Sequence, residues 1–295
     1  MSTPESQNLP VVVAVDGSDD SRAALEWALA EATRRGAGVR VVHVRQYAPV
    51  LQPAVLVAGP EEPADDPVVD EVRKELAGRP GLPAVEYVCL EGVPAAVLPA
   101  LGGEAQLLVL GSRGRGGFAS LLLGSNGVAV ARDAACPVVV VRAQEATARR
   151  VVVGLQPDDP DGTTLAFALD HAARVGAPVR VVAAYAWPVL AWTAYGDFAL
   201  TGQEQEAVEK ETLALARRAL APLLESHPEV EVEVLVTPGD AAGRLVESSE
   251  DAALVVVGRH RRRLTRPAPM LGSVTHAVLL HAESPVAVVP PAPQD

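Results

Sequence analysis

The chain contains an internal duplication, and this feature limits its possible folds more than any other. Three blocks of the first half align with three blocks of the second half at a shift of 140 to 148 positions. The aligned blocks are 11–44 with 151–184, 92–111 with 239–258, and 124–141 with 272–289. A period this long is far beyond that of a solenoid repeat, so it indicates one structural unit used twice. The sequence therefore predicts two domains, at residues 9–142 and 149–291.

Short apolar runs alternate with helical patterns within each unit. Residues 11–15 form a continuous apolar run, which is typical of a parallel strand buried on both faces. Residues 23–35 carry apolar side chains at helical spacing and end at Gly36. In the first half, the predicted strands are 11–15, 39–44, 84–90, 107–110 and 138–141, and the predicted helices are 23–35, 68–77 and 93–101, with a further helix after Gly124. This alternation predicts an α/β fold with two Rossmann-like domains, each a five-stranded parallel sheet with helices on both faces.

A glycine-rich stretch follows the fourth predicted strand of the first half. Gly111 comes directly after residues 107–110, and the pattern Gly-x2-Gly-x9-Gly-Ser continues through Gly114, Gly124 and Ser125. Glycines at such a place let backbone N–H groups approach an anion without an intervening Cβ, and a helix N-terminus adds its dipole. Ligands of open parallel sheets bind beyond the carboxyl ends of the strands. The stretch therefore predicts a phosphate cradle, although its spacing alone also fits a flexible surface loop.

This spacing resembles the ATP-binding signature of the universal stress protein family, and residues 136–142 (CPVVVVR) resemble that family's last strand. The resemblance covers both halves, but the full signature stands only in the first. It implies a fold like that of the adenine-nucleotide alpha-hydrolases and a protein that binds ATP, as Mg-ATP, with little or no turnover. Such a protein would act as a sensor or regulator under stress rather than as a metabolic enzyme.

The resemblance also implies roles for single residues of the first half. Asp16 would contact the nucleotide, although it could instead only cap the first helix. Ala14 and Val44 would line the adenine pocket. Arg113 and Arg115 could pair with phosphate oxygens or be solvated loop charges. The expected nucleotide-binding residues are Ala14, Asp16, Val44, Leu110, Gly111, Arg113, Gly114, Arg115, Gly124, Ser125 and Asn126. The family usually has an apolar residue where Asn126 stands. We expect no catalytic residue and no metal ligand.

The second half departs from this pattern. Gln156 replaces Asp16, Arg261 replaces Gly114, and one residue is added before Gly272. An arginine side chain cannot stand where backbone must touch phosphate, so we expect one ATP-competent half and one degenerate half. The loop of the second half is strongly basic and could bind an anion or an acidic partner, or could simply balance local acidic charge. Its basic residues are Arg259, His260, Arg261, Arg262, Arg263 and Arg266.

Composition limits the remaining partners and compartments. The net charge of −12 disfavours nonspecific binding to nucleic acid and to anionic membrane surfaces. The first ten residues have no basic residue and no apolar run, so we expect no signal peptide. Two cysteines in no metal or redox motif fit a reducing cytoplasm. The protein partners are unknown, and a homodimer is possible. The last strands of the two domains are expected to pair within the chain.

Two other classes of function remain open from the sequence. One is an enzyme that uses the same cradle, either a slow ATPase or an adenylyl-transferring protein. The other is an interaction module that binds no nucleotide. The intact glycine pattern argues against this module in the first half, and its loss argues for it in the second.

Overall fold

The structure is a computed structural model that describes residues 9–46, 66–114, 123–143, 150–185, 202–259 and 271–292. The chain divides into two compact units, Met1–Ala143 and Gln144–Asp295. Each contains five parallel strands that alternate with helices, which confirms the predicted fold class. None of the described helices combines the length and the apolar character needed to cross a bilayer.

The first unit has the strand order β3-β2-β1-β4-β5. Its elements are β1 Val11–Ala14, α1 Asp19–Arg35, β2 Val39–Arg45, α2 Pro67–Leu76, β3 Val85–Glu91, α3 Pro94–Ala100, the 3₁₀ turn Leu101–Glu104, β4 Leu107–Gly111, α4 Ser125–Asp133 and β5 Val138–Val141. The inner strands are closed to water on both faces, since Val11, Val12 and Val13 of β1 are fully buried. The order reverses between β1 and β4, and a doubly wound sheet opens a ligand crevice where its order reverses.

Helix α1 begins earlier than the sequence pattern predicts. The apolar pattern begins at residue 23, whereas the helix begins at Asp19 because the side chain of Ser18 accepts a hydrogen bond from the Ser21 N–H and caps it. Asp19 and Asp20 belong to the first turn, where negative charge interacts favourably with the helix dipole. The helix ends as predicted at Gly36, which adopts the left-handed conformation with φ 65°. The polar turn after β1 is thus already helical, and this brings Asp20 towards the sheet edge.

The second unit repeats this topology in the order β8-β7-β6-β9-β10. Its elements are β6 Arg150–Leu155, α5 Gly162–Val175, β7 Val179–Tyr185, α6 Gly202–Leu224, β8 Val232–Pro238, α7 Ala241–Ser249, β9 Ala252–Gly258, α8 Ser273–His281 and β10 Val286–Val289. Each strand of the second unit has the same position in its sheet as its counterpart in the first. The strand order therefore reverses between β6 and β9, as it does between β1 and β4. The two units can therefore be compared residue by residue at this point.

Candidate functional site

The residues predicted to bind nucleotide converge at the carboxyl ends of β1 and β4. Ala14 ends β1 and is the register partner of Leu110 in β4. Asp16 follows β1 by two residues, and Gly111 is the last residue of β4. The structure thus brings together two segments that lie about a hundred residues apart in sequence, at the point where the strand order reverses.

The carboxylate of Asp16 does not cap α1 itself, but it holds the residue that does. Its Oδ1 accepts hydrogen bonds from the backbone N–H of Ser18 at 3.0 Å and from the Ser18 hydroxyl at 2.6 Å. The Ser18 Oγ also lies 3.3 Å from the carbonyl oxygen of Arg113. Asp16 therefore fixes both the start of α1 and its contact with the loop after β4. The carboxylate is only half-buried, so it can still meet a ligand.

The two glycines of the loop after β4 face different neighbours. A Cβ on Gly111 would lie 2.6 to 2.9 Å from atoms of Asp20, including its backbone carbonyl. A Cβ on Gly114 would lie 2.5 Å from Oδ2 of Asp16. Gly111 is therefore required because α1 packs directly on the end of β4, a reason that the sequence did not reveal. Gly114 is exposed and leaves space beside the Asp16 carboxylate.

Arg113 is bound by a carboxylate of its own chain. Asp20 is buried, and its Oδ2 accepts hydrogen bonds from the Ser112 hydroxyl at 2.6 Å and from the backbone N–H and Nε of Arg113 at 3.0 and 3.1 Å. Burial alone would raise the pKa of Asp20, but the hydrogen bonds from Arg113 and Ser112 outweigh it and lower that pKa. The side chain of Arg113 is still 47% exposed. It is therefore positioned at the edge by Asp20 and is more than a solvated loop charge.

Helix α4 begins next to this loop without a side-chain cap. Its first residues are Ser125 and Asn126, and Gly124 precedes them in extended conformation with no side-chain hydrogen bond to the first turn. The Gly124 N–H donates to the carbonyl oxygen of Ser112 at 2.8 Å, which ties the helix start to the end of β4. By contrast, α1, α2, α5 and α7 are each capped by a side chain. An uncapped N-terminus presents N–H groups and the positive end of the dipole.

The predicted pocket wall is apolar. Leu110 and Val44 are 5% and 8% exposed, and Ala14 is half-buried at the end of β1. Val44 pairs with Leu90 on β3, so it stands one strand away from β1 on the side opposite to β4. These side chains can form an apolar surface for a flat base. Arg115 lies outside the described residues.

Sequence reasoning missed three polar residues of this edge. Ser112 and Asp20 form the hydrogen-bonded support of Arg113. Arg142 follows β5; burial lowers its pKa, while its interaction with Asp20 acts in the opposite direction. Arg142 could have been found from the sequence, because it directly follows the last predicted strand of the first half. For Asp20 the available signal was a serine followed by two acidic residues, which is typical of a helix start, but its contact with Arg113 can be seen only once α1 is placed against β4.

The equivalent edge of the second unit is built differently. Helix α5 begins at Gly162, three positions later than the alignment with α1 predicts, and this removes about 4.5 Å of helix. Asp161 takes over the cap and accepts hydrogen bonds from the Thr163 N–H and the Thr164 hydroxyl. Gln156 is exposed, with no carboxylate in the place of Asp16. Helix α8 begins without a side-chain cap, as α4 does. The predicted basic loop, apart from Arg259, lies outside the described residues.

Known proteins resemble this chain over nearly its whole length. The sequence model of the universal stress protein family matches the chain twice, at residues 8–142 and 147–290. Universal stress protein Rv2005c of Mycobacterium tuberculosis is 35% identical over 302 residues, which cover 98% of this chain and 99% of that protein. Universal stress protein Rv1996 of the same organism is 30% identical over 318 residues, which cover 99% of this chain and 98% of that protein.

Solved structures resemble the fold over the whole chain. The protein PA1789 from Pseudomonas aeruginosa, described as functionally unknown, matches with a TM-score of 0.67 at 17% identity and covers 98% of this chain and 95% of its own. A universal stress protein from Archaeoglobus fulgidus matches with a TM-score of 0.59 at 18% identity, covering 96% of each chain. These likenesses show the fold.

Proposed function

The chain belongs to the universal stress protein family, and from this premise we propose that its first unit binds ATP at the edge formed by β1, β4 and α4. The protein then acts as a nucleotide-dependent sensor or regulator under stress, with little or no turnover. The observation that carries the proposal is the uncapped start of α4, which is tied to the end of β4 beside Gly114.

The chemistry of this edge fits a nucleoside triphosphate. The first N–H groups of α4 and the Ser125 hydroxyl are donors, and a helix N-terminus that lacks a side-chain cap favours an anionic ligand. Arg113 and Arg142 supply positive charge on the same side of the sheet. Phosphate oxygens would therefore be held by Gly114, Ser125 and Asn126. Bound Mg²⁺ would neutralise part of the triphosphate charge.

The sugar and the base would lie towards β1 and β2. Oδ2 of Asp16 lies on the side of Gly114, and its Oδ1 accepts a hydrogen bond from the Ser18 hydroxyl. A carboxylate in that position can accept hydrogen bonds from ribose hydroxyls. The apolar surface of Ala14 and Val44 suits the flat adenine ring. In this way the adenine ring and the triphosphate would lie on opposite sides of the point where the strand order reverses.

Little turnover follows from the state of the two carboxylates at this edge. Asp20 accepts four hydrogen bonds and its pKa is lowered, so it is a weak base that is poorly suited to activating water. Asp16 holds the capping serine of α1 through one oxygen. Both carboxylates therefore support the scaffold, and the proposal needs no proton transfer by either.

The second unit would bind nucleotide weakly or not at all. It lacks the carboxylate at the position of Asp16, and its α5 starts about one turn late. Among its described residues, the uncapped start of α8 and Gly258 at the end of β9 remain, and these elements alone supply too few contacts for a specific ligand. The second unit would then serve as a protein-binding or purely structural partner of the first.

Two matched serines test the proposal. Ser125 and Ser273 are the first residues of α4 and α8. A hydrogen bond to a charged group contributes about 1.5 to 3 kcal/mol, so Ser125→Ala should weaken binding of Mg-ATP by roughly ten- to hundredfold. Ser273→Ala should leave the affinity unchanged. Fluorescent-ATP titration of the full chain gives both values, and equal affinities in all three proteins would overturn the proposal.

A further inference from the structure

Three side chains that are able to bind a metal ion converge near the start of α2. His43 on β2 and Cys89 on β3 are direct register partners. Asp66 precedes α2, and its Oδ2 lies 2.7 Å from His43 Nδ1 and 2.8 Å from Cys89 Sγ. All the ligand atoms lie within 4.8 Å of one another. The sequence predicted no metal site, because these residues are scattered along the chain in no ligand spacing.

We propose that His43, Asp66 and Cys89 form a zinc site with three protein ligands and one water. An imidazole nitrogen, a carboxylate oxygen and a thiolate sulfur are the ligand types that Zn²⁺ takes in proteins, and three ligands with an open fourth position are a common set. The mixture of sulfur with nitrogen and oxygen selects a borderline-soft ion over Mg²⁺ or Ca²⁺. The site lies among described residues, and none of its three ligands is a residue predicted to bind nucleotide.

The geometry requires only small side-chain movements. Around a tetrahedral zinc ion, ligand atoms stand about 3.3 to 3.6 Å apart, as its bond lengths dictate. The two short contacts of Asp66 therefore lengthen by about 0.6 to 0.7 Å, and the widest separation between ligand atoms shortens by about 1.2 Å. Cys89 is exposed, so the ion and its water can enter from that side, while Asp66 is buried and the His43 side chain is 18% exposed.

The carboxylate of Asp66 is held in place by the helix that it caps. Its Oδ1 accepts hydrogen bonds from the backbone N–H groups of Val68 and Val69 at 3.0 and 3.1 Å, which leaves Oδ2 directed at the other two ligands. Such support of a ligand by neighbouring groups fixes its orientation and strengthens metal binding. A single carboxylate thus caps α2 and contributes a metal ligand.

Metal binding exchanges one proton for the ion. The Cys89 thiol gives its proton to water as the sulfur–zinc bond forms. In the metal-free chain Nδ1 of neutral His43 donates a hydrogen bond to Asp66 Oδ2. On metal binding the ring proton moves to Nε2 by exchange with water, and the lone pair of Nδ1 faces the metal. The hydrogen bonds to Asp66 Oδ2 are replaced by the bond from this oxygen to the metal. The bound ion ties the start of α2 to β2 and β3, so it stabilises the first unit by mass action.

Cobalt titration of the nucleotide-free full chain tests the site. Co²⁺ takes the place of zinc, and a thiolate ligand gives it a charge-transfer band in the near ultraviolet. We expect this band to saturate at one ion per chain, to be removed by added Zn²⁺, and to be absent in Cys89→Ser. His43→Asn should weaken binding by more than about tenfold, since even the loss of a group that only hydrogen-bonds to a metal ligand costs that much.

The other cysteine supplies the matched control. Cys136 is buried and lies outside the cluster, so Cys136→Ala should keep the band and the stoichiometry. Zinc should also raise the melting temperature of the unchanged chain and of Cys136→Ala, but not that of Cys89→Ser. The proposal is overturned if the unchanged chain shows no thiolate band, or if the band survives in Cys89→Ser.

Discussion

Gly111 lies so close to Asp20 that a Cβ on the glycine would stand 2.6 Å from the carbonyl carbon of Asp20. This contact joins the last residue of β4 to the first turn of α1. It explains why the cradle begins with glycine, and it holds Asp20 where its carboxylate can reach Ser112 and Arg113. Glycine at position 111 therefore serves the packing of α1 on β4 as well as the space that a ligand needs.

Gly111→Ala should destabilise the first unit. The added methyl group meets backbone atoms that cannot rotate away, and overpacking of this kind costs about 1 to 3 kcal/mol. Gly124→Ala is the matched control, because its Cβ would find its nearest neighbour at 3.7 Å. Urea unfolding measures both free energies of unfolding. Equal losses in the two variants would show that the contact with Asp20 does not limit position 111.

Asp20→Asn should lower stability at neutral pH and much less in acid. The carboxylate has a lowered pKa, so its contribution is complete above the unfolded value of about 3.9 and is lost as the pH falls through the folded value. A buried acceptor that loses its charge costs about 1 to 3 kcal/mol. Urea unfolding near neutral pH and in acid gives the comparison.

Glu71→Gln is the control for this measurement. Glu71 pairs with Arg22, another residue of α1, but both side chains are about half exposed, so the change should cost under about 1 kcal/mol. If Asp20→Asn loses the same free energy at neutral and acid pH, ionisation of Asp20 does not stabilise the fold.

Gly114→Ala should weaken ATP binding, with a smaller loss of stability because Asp16 also holds Ser18. The new Cβ would stand 2.5 Å from Oδ2 of Asp16, so this carboxylate must turn away from its place at the edge. A loss of about tenfold in affinity corresponds to 1.4 kcal/mol and is the expected size. Gly103→Ala in the same unit has open space around it and should bind ATP normally. Normal binding by Gly114→Ala would remove Asp16 from the nucleotide site.

The second unit should lose a small part of its stability as the pH rises above about 6.5, the ordinary value of a histidine. Both ring nitrogens of His227 face acceptors, with Nδ1 at 2.9 Å from the Leu223 carbonyl oxygen and Nε2 at 2.8 Å from Asp170. Burial lowers the pKa of His227, but these acceptors outweigh it and raise that pKa. Protonation of His227 therefore stabilises the fold. This contribution is complete below the pKa of the unfolded chain and is lost as the pH rises through the pKa of the folded chain.

Asp170 is half exposed, so this contribution should stay under about 1 kcal/mol. Thermal unfolding across this pH range should show it in the unchanged chain, and Asp170→Asn should remove most of it. If the unchanged chain and Asp170→Asn show the same pH dependence of stability, groups other than His227 cause it.

The sequence predicted strands better than it predicted the start of helices. Buried parallel strands such as Val138–Val141 are continuous apolar runs, so composition alone marks their ends. The start of α1 was missed because Ser18 and Asp20 look like a turn, although a polar cap and an acidic first turn are ordinary helix starts. Hydrophobic periodicity cannot show polar residues that belong to a helix.

The candidate site was predicted only in part, for a related reason. The glycines and Ser125 form a spacing that is visible in one segment. The ion pair of Arg113 with Asp20 joins two segments, and it can be seen only once α1 is placed against β4. The group of His43, Asp66 and Cys89 depends on the pairing of β2 with β3 and on the cap of α2. Such long-range contacts leave no local pattern.

The number of ATP molecules bound per chain tests the central claim most directly. Isothermal titration of the full chain with Mg-ATP, repeated with Asp16→Ala and Gln156→Ala, gives both stoichiometry and affinity. We predict one site per chain, strongly weakened in Asp16→Ala and unchanged in Gln156→Ala. Two equal sites would contradict the difference between the units, and no binding at millimolar ATP would contradict the proposed function itself.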